Sequence, residues 1–289
     1  MNWTETLTEL IRRTTTDLLA DIKCALRRAA TAEAPGSHAG RMLESMLENT
    51  ELAAQKSTPV CQDTGTLTLF WRVPEGTETI TLQRAAEAAV RQATESGWLR
   101  KNTIDSLSGN SIDSNVARGA PECCFLQEPR CDIEVWLLQK GGGCENMSSQ
   151  YSLPDEKIGA GRDLAGVRLC LLQAVHSAQG FGCAPGVLGV CIGSDRAGGY
   201  KVAKEQLLRT LDDQAEEPEL AALEQQVLAG ANQLGIGPMG LGGLTTLLGV
   251  KIAARSRLPA SFFVTVAYMC WACRRSGVRL AADGSVQWL

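Results

Sequence analysis

Eleven cysteines in a chain of 289 residues constrain this fold more than any other feature. The number is odd, so disulfides cannot use all of them. Residues 1–20 scatter acidic and basic side chains on a helical period, with no apolar signal core and no cleavage site. No run approaches the roughly 18 apolar residues that a membrane helix needs. A cytoplasmic chain is expected, and there the thiols stay reduced. The fold must then rest on an ordinary core, which a hydrophobic fraction of 44% can build at this length. Most of the cysteines should serve that core as small hydrophobes, leaving a few for chemistry. His38 and His176 are the only histidines, too few for a histidine-based metal site. A net charge of −4 lacks the basic excess of a nucleic-acid binder, so any anionic ligand needs positive charge placed locally.

Periodicity gives the outline. Leu7, Leu10, Ile11, Leu18, Leu19, Ile22 and Leu26 fall close to a 3.6-residue repeat, which predicts a helix over residues 4–33. Further helices are expected at 41–56, 81–96, 163–180, 201–210 and 217–234. Apolar runs at 67–73, 131–138, 186–192, 247–254 and 261–269 read as strands. Residues 101–119, rich in Asn, Ser and Asp, read as a long functional loop, and 235–243 as a glycine-rich one. Helices and strands mix without a clean βαβ rhythm, so an α+β fold in a single domain over 1–289 is expected.

Three cysteines stand in exposed-turn settings: Cys61 in Cys-Gln-Asp-Thr-Gly, Cys183 in Gly-Cys-Ala-Pro-Gly, and Cys270 at the end of the last predicted strand. Glycine beside a thiol lets the backbone approach a bulky inorganic group. Cys270 and Cys273 form one C-x-x-C pair with no second pair, which does not indicate a zinc ribbon. On spacing alone, a metal or cluster role and a buried structural role both remain open. Asp63 reads equally as a turn-capping aspartate, and Lys140-Gly-Gly-Gly as a tight strand-end turn or a cradle of backbone N–H groups. Lys201, Lys204 and Arg209 read as a solvated helix face.

Five motifs carry a resemblance. Cys61-Gln-Asp-Thr-Gly-Thr66, Lys140-Gly-Gly-Gly-Cys-Glu-Asn-Met-Ser148, Cys183-Ala-Pro-Gly with Gly189-Val-Cys-Ile-Gly193, Gly235-Ile-Gly-Pro-Met-Gly-Leu-Gly-Gly243 and Cys270-Trp-Ala-Cys-Arg-Arg275 run in order over about residues 40–275. Together they resemble the class I fumarase and L(+)-tartrate dehydratase α-subunit family. The resemblance implies an iron–sulfur hydro-lyase acting on a small dicarboxylic acid. It implies a 4Fe–4S cluster held by Cys61, Cys183 and Cys270, whose open iron serves as Lewis acid. It further implies Asp63 as a catalytic proton carrier, and substrate contacts from Gln62, Arg100, Gly142, Gly143 and Cys144, with Cys144 as a rival ligand. A separate, smaller β subunit is expected to complete the site, in an α2β2 assembly.

The chain departs from the resembled pattern at two places. Family members carry a histidine before Pro-Ala-Ser where this chain has Leu258, and a lysine after the glycine motif where it has Leu244. These changes leave the cluster ligands in place and bear on substrate choice. They also keep open a second expectation, a non-catalytic cluster-binding relative acting as an iron or redox sensor.

Overall fold

The computed structural model describes residues 2–289. In chain order the first half holds α1 (Trp3–Thr16), α2 (Ala20–Ala32), α3 (His38–Lys56), β1 (Thr66–Pro74), α4 (Thr79–Glu95), β2 (Thr103–Ile104), β3 (Ser111–Ile112), β4 (Glu122–Glu128) and β5 (Ile133–Lys140). The second half holds α5 (Gly142–Asn146), β6 (Ser149–Ser152), α6 (Leu164–Ala178), β7 (Gly186–Gly193), α7 (Arg196–Gln206) and α8 (Pro218–Asn232), then β8 (Leu247–Arg255), β9 (Phe263–Met269), β10 (Arg274–Leu280) and β11 (Val286–Trp288). Helices and mixed sheets make the α+β fold expected from the sequence. The chain divides into two compact units: Met1–Leu19, Glu48–Gly142 and Arg274–Leu289 form the first, Ala20–Leu47 and Gly143–Cys273 the second.

The first unit is a five-stranded sheet in the order β11-β10-β5-β1-β4. Leu69, Trp71 and Val73 of β1 pack against Leu7, Leu10 and Ile11 of α1 and Leu82, Ala86 and Val90 of α4. Each buried Leu, Ile or Val contributes about 1.5–3 kcal/mol relative to exposure, and the Trp3 ring meets Trp71 edge-on at 5.5 Å. β1 runs antiparallel to β5, with Thr66 opposite Lys140. That register sets the turn before β1, residues 61–65, beside the glycine loop that follows β5.

The second unit is a four-stranded sheet in the order β6-β9-β7-β8. β6 and β7 both run antiparallel to β9. Their beginnings therefore lie beside its end. The segment before β6 carries Cys144, the loop before β7 carries Cys183, and Cys270 follows β9, so strand direction alone gathers all three at one end of the sheet.

Several boundaries differ from the sequence expectation. The helix expected over 4–33 breaks after Thr16. Thr14, Thr15 and Thr16 turn their hydroxyls back to the carbonyls of Leu10, Ile11 and Arg12, and Asp17 is extended with its carboxylate accepting from the Leu18 N–H. Such side chains compete with helical hydrogen bonding and favour a break. The helix expected at 201–210 starts earlier, at Arg196, because Asp195 caps the Gly198 N–H at 2.8 Å. β4, β6, β10 and β11 were not expected, nor were the two-residue strands β2 and β3 inside the loop expected at 101–119. β4 and β11 are sheet edges, only partly buried, with glutamates and glutamines interrupting the apolar alternation. Two parallel pairs, β1 with β4 across α4 and β7 with β8 across α7 and α8, are crossover units that the sequence pattern hides.

Candidate functional site

In the first unit, Asp63 begins a tight turn. Its Oδ1 accepts from the Gly65 N–H at 3.1 Å and its Oδ2 from the Gly142 N–H at 2.7 Å. Gly65 is left-handed at φ 76°, and a Cβ there would lie 2.7 Å from the Lys140 carbonyl, so only glycine fits. Asp63 thus ties the turn to the glycine loop. Thr64, buried, accepts the Arg100 N–H at 3.1 Å, which anchors the backbone of the expected carboxylate-binding arginine while its side chain stays exposed.

Asn115 fixes the long polar loop. Its amide donates to Thr94 Oγ1 and to the Arg100 carbonyl, and its oxygen accepts from the Asn102 and Thr103 N–H groups. All four of its hydrogen-bonding capacities are used. A cavity of about 360 Å³ opens here, lined among others by Asp63, Gly65, Asn102, Asn115 and Gly142. Cys61 is half-buried and Gln62 exposed at the edge of the same turn.

Arg274 was not singled out by sequence reasoning. It is 1% exposed, its Nε and Nη1 have no hydrogen-bond partner, and no ion pair reaches it among the described residues. Its Nη2 and Asp63 Oδ2 both lie within 3.7 Å of where a Cβ on Gly141 would sit. A cation withdrawn from water without a contacting counter-ion is expensive, and its place beside an N–H-rich glycine loop suits an anion. Two successive arginines at a strand start gave no periodicity signal that would have found it.

The second unit holds Gly143, Cys144, Cys183 and Cys270. Cys183 has φ 54°, a left-handed conformation that disfavours side chains, closed by its N–H donating to the Gly180 carbonyl at 3.0 Å. Such strain concentrates at functional positions. The Trp271 N–H donates to the Cys183 carbonyl at 3.1 Å, binding the Cys270 segment to the Cys183 loop. Cys144 is buried, with its Sγ 3.9 Å from Met269 Sδ. Among them stands Tyr268, another residue the sequence reading missed. Burial, then the neighbouring Cys270, Cys144 and Cys183, push its phenol well above the usual range, and its hydroxyl has no partner among the described residues.

Three further cysteines are shielded by burial. Burial pushes the Cys123 and Cys170 thiols up to about 12 and Cys191 to about 11, which keeps them protonated and inert. No cysteine is disulfide-bonded among the described residues. Nor does any group of three or more His, Cys, Asp or Glu among them converge on a single metal ion. A four-iron cluster asks for a wider spacing, because each thiolate binds a different iron. Thiolate is the donor such a cluster takes, and the Cys183–Cys270 corner offers it beside glycines and an orphaned hydroxyl.

Of the basic residues expected on a solvated face, Lys201 is exposed as expected, and the other two are engaged. Lys204 pairs with Glu145 at 2.8 Å, and Arg209 bridges Asp213 and Glu224 at 2.9 and 2.8 Å. Leu258 is 73% exposed and Leu244 also exposed, so neither lies in a closed pocket within its unit. No helix is long and apolar enough to cross a membrane among the described residues.

Residues 4–279 match the family model described as Fumarate hydratase (Fumerase), a span running through both units. A putative fumarate hydratase class I of Geobacillus stearothermophilus is 46% identical over 290 residues, covering 99% of this chain and 56% of that protein. The chain therefore spans little more than half of that relative. A putative L(+)-tartrate dehydratase subunit alpha of Methanocaldococcus jannaschii is 32% identical, over 99% of this chain and 100% of its own length. The L(+)-tartrate dehydratase subunit alpha of Escherichia coli strain UTI89 is 29% identical, over 96% and 91% respectively.

Proposed function

The chain belongs to the fumarate hydratase (fumerase) family, and on that premise we propose that it is the α subunit of a hydro-lyase for a small dicarboxylic acid. The reaction is the reversible addition or removal of water, as between fumarate and malate or between tartrate and oxaloacetate. The observation that carries this reading is the corner where Trp271 ties Cys270 to the strained Cys183 loop. Cys61, Cys183 and Cys270 would hold a 4Fe–4S cluster, and Cys144 would remain a contact of the substrate loop. When bound, the cluster supplies a Lewis acid for the departing hydroxyl.

The chain's own residues supply the rest. Asp63, on the cavity wall, exchanges a proton at Oδ2 with that hydroxyl while its bonds to Gly65 and Gly142 fix its orientation. The Arg100 guanidinium, free to form a bidentate fork, takes one carboxylate. Gln62, Gly142 and Gly143 complete the substrate loop, and the buried charge of Arg274 beside Gly141 favours an anion there.

A separate β subunit supplies the carbon base. Its support is the near-complete coverage of relatives named as alpha subunits, against 56% of the Geobacillus protein. Exposed Phe181, Leu244 and Leu258 supply apolar surface suited to partners, in a cytoplasmic α2β2 assembly. Leu244 and Leu258 also favour a second reading, a cluster-binding relative without turnover, since leucine offers no donor to a substrate.

Iron, sulfide and zinc analysis with a visible spectrum on anaerobically purified chain tests the proposal. About four irons and four sulfides, lost in each of Cys61→Ser, Cys183→Ser and Cys270→Ser, are expected. Zinc in their place, or iron indifferent to all three, overturns it. Intact iron with no turnover of any dicarboxylate in the presence of the β partner supports the second reading.

A further inference from the structure

Tyr268 is a side chain with a hydroxyl it does not use in the chain as it stands. It is 1% exposed, and its O–H has no hydrogen-bond partner among the described residues. A buried hydroxyl left unanswered costs stability, and phenylalanine would fill the same volume without that penalty.

The hydroxyl cannot swing away to find a partner. A Cβ on Gly186 would lie 2.5 Å from the Tyr268 oxygen, and one on Gly182 would strike the ring itself. The ring is therefore packed directly on the backbone that brackets Cys183. From the other side, the Tyr268 N–H donates to Ser148 Oγ at 3.2 Å, four residues along from Cys144. Tyr268 faces Leu188 across the β7–β9 ladder, one step from the Val187–Met269 pair at the strand end. Cys270 follows directly, its segment held to Cys183 through the Trp271 N–H. The backbone at Gly182 and Gly186 thus packs against the ring and the phenol oxygen, while Ser148 and the ladder fix the Tyr268 backbone, within electrostatic reach of Cys270, Cys144 and Cys183.

We propose that the Tyr268 hydroxyl donates a hydrogen bond to a sulfur of the cluster, a cysteine thiolate or a bridging sulfide, and thereby raises the cluster's reduction potential. This rests on the cluster reading given above. Reduction adds negative charge to the sulfurs, so a donor aimed at one of them stabilises the reduced form more than the oxidised form, and hydrogen bonds to sulfur are among the groups that set such potentials. The tyrosine is a positioning residue: it touches the cofactor and does no proton chemistry on the substrate.

The test compares wild type with Tyr268→Phe, both purified anaerobically as full chains. Iron and sulfide are counted first, then the midpoint potential is measured, with resonance Raman spectra recorded in H2O and in D2O. Equal iron content, a more negative midpoint in the variant, and loss of a deuterium-sensitive Fe–S stretch are expected. A shift in the terminal stretches assigns a thiolate as acceptor, and one in the bridging stretches assigns a sulfide. Equal iron content with unchanged midpoint and spectra overturns the proposal while leaving the cluster intact, as a water on the hydroxyl would produce. Wild type without iron overturns the cluster reading itself. Melting curves of the two iron-free chains check that the variant folds, and a purely structural hydroxyl would move only those curves.

Discussion

Two buried basic sites in this molecule look alike in sequence and differ in what surrounds them. Lys251, 3% exposed, and Arg209 converge on Asp213 and Glu224, and Glu224 also accepts the N–H groups of Ile252 and Ala215. Arg274 is buried as deeply, with no ion-pair contact among the described residues, Asp63 being the acid nearest to it beside Gly141. The first arrangement is complete in the isolated chain and serves the fold. On the proposed function, the second is completed by an anion. Charge and burial do not separate the two cases; the presence of the counter-ion does.

The largest expected effect breaks the complete site. Glu224→Ala leaves Arg209 and the Ile252 N–H unanswered, and should destabilise the chain by about 3–5 kcal/mol in urea unfolding. At the other site the sign reverses. Arg274→Met removes a buried charge that nothing balances, so the iron-free chain should gain about 1–3 kcal/mol, while turnover with the β partner falls on the order of 100-fold. A destabilised Arg274→Met chain would mean that the arginine is structural after all, and the contrast would collapse.

Acid should also separate the sites. Burial acts to raise the Asp213 carboxyl pKa, but hydrogen bonds from Arg209 and Lys251 outweigh it and the net shift is downward. Such a group contributes stability above the ordinary aspartate range, lost as pH falls through its lowered folded value. Asp213→Asn should flatten that acid limb of a stability–pH curve, modestly because the carboxyl is partly exposed; Arg274→Met should leave it in place. Smallest of all, Tyr268→Phe should change the melting of the iron-free chain by no more than about 1 kcal/mol, upward, as loss of an unanswered hydroxyl predicts. A clear loss of stability would show that this hydroxyl, too, is answered within the apo chain.

How much of this was readable beforehand follows a physical line. Cys61, Asp63, the glycine loop and Cys183 lie in turns, where glycine, proline and aspartate leave local signatures. Strongly apolar strands such as β7 and β9 announce themselves as well. Arg274 and Tyr268 do not, because their significance lies in partners they lack, and a missing partner leaves no trace in local sequence. β4 and β11 were hidden because an edge strand needs no continuous apolar run. The helix break at Asp17 was missed because the apolar period continues through it, while the three threonines compete for the carbonyls. Lys204 misled for the complementary reason, since its acid Glu145 lies far away in the chain, as does Glu224, one of the two acids of Arg209.

The antiparallel register of β6, β7 and β9 has a consequence for the order of events in the cell. A zinc ribbon can capture its ion while still unfolded, because paired cysteines two residues apart form half a site locally. Here Cys183 and Cys270 become neighbours only once β7 has paired with β9. An unfolded or nascent chain therefore does not bring these two cysteines together, whatever the local Cys270/Cys273 pair can hold. On the proposed ligand set, folding of this sheet would precede loading of the cluster.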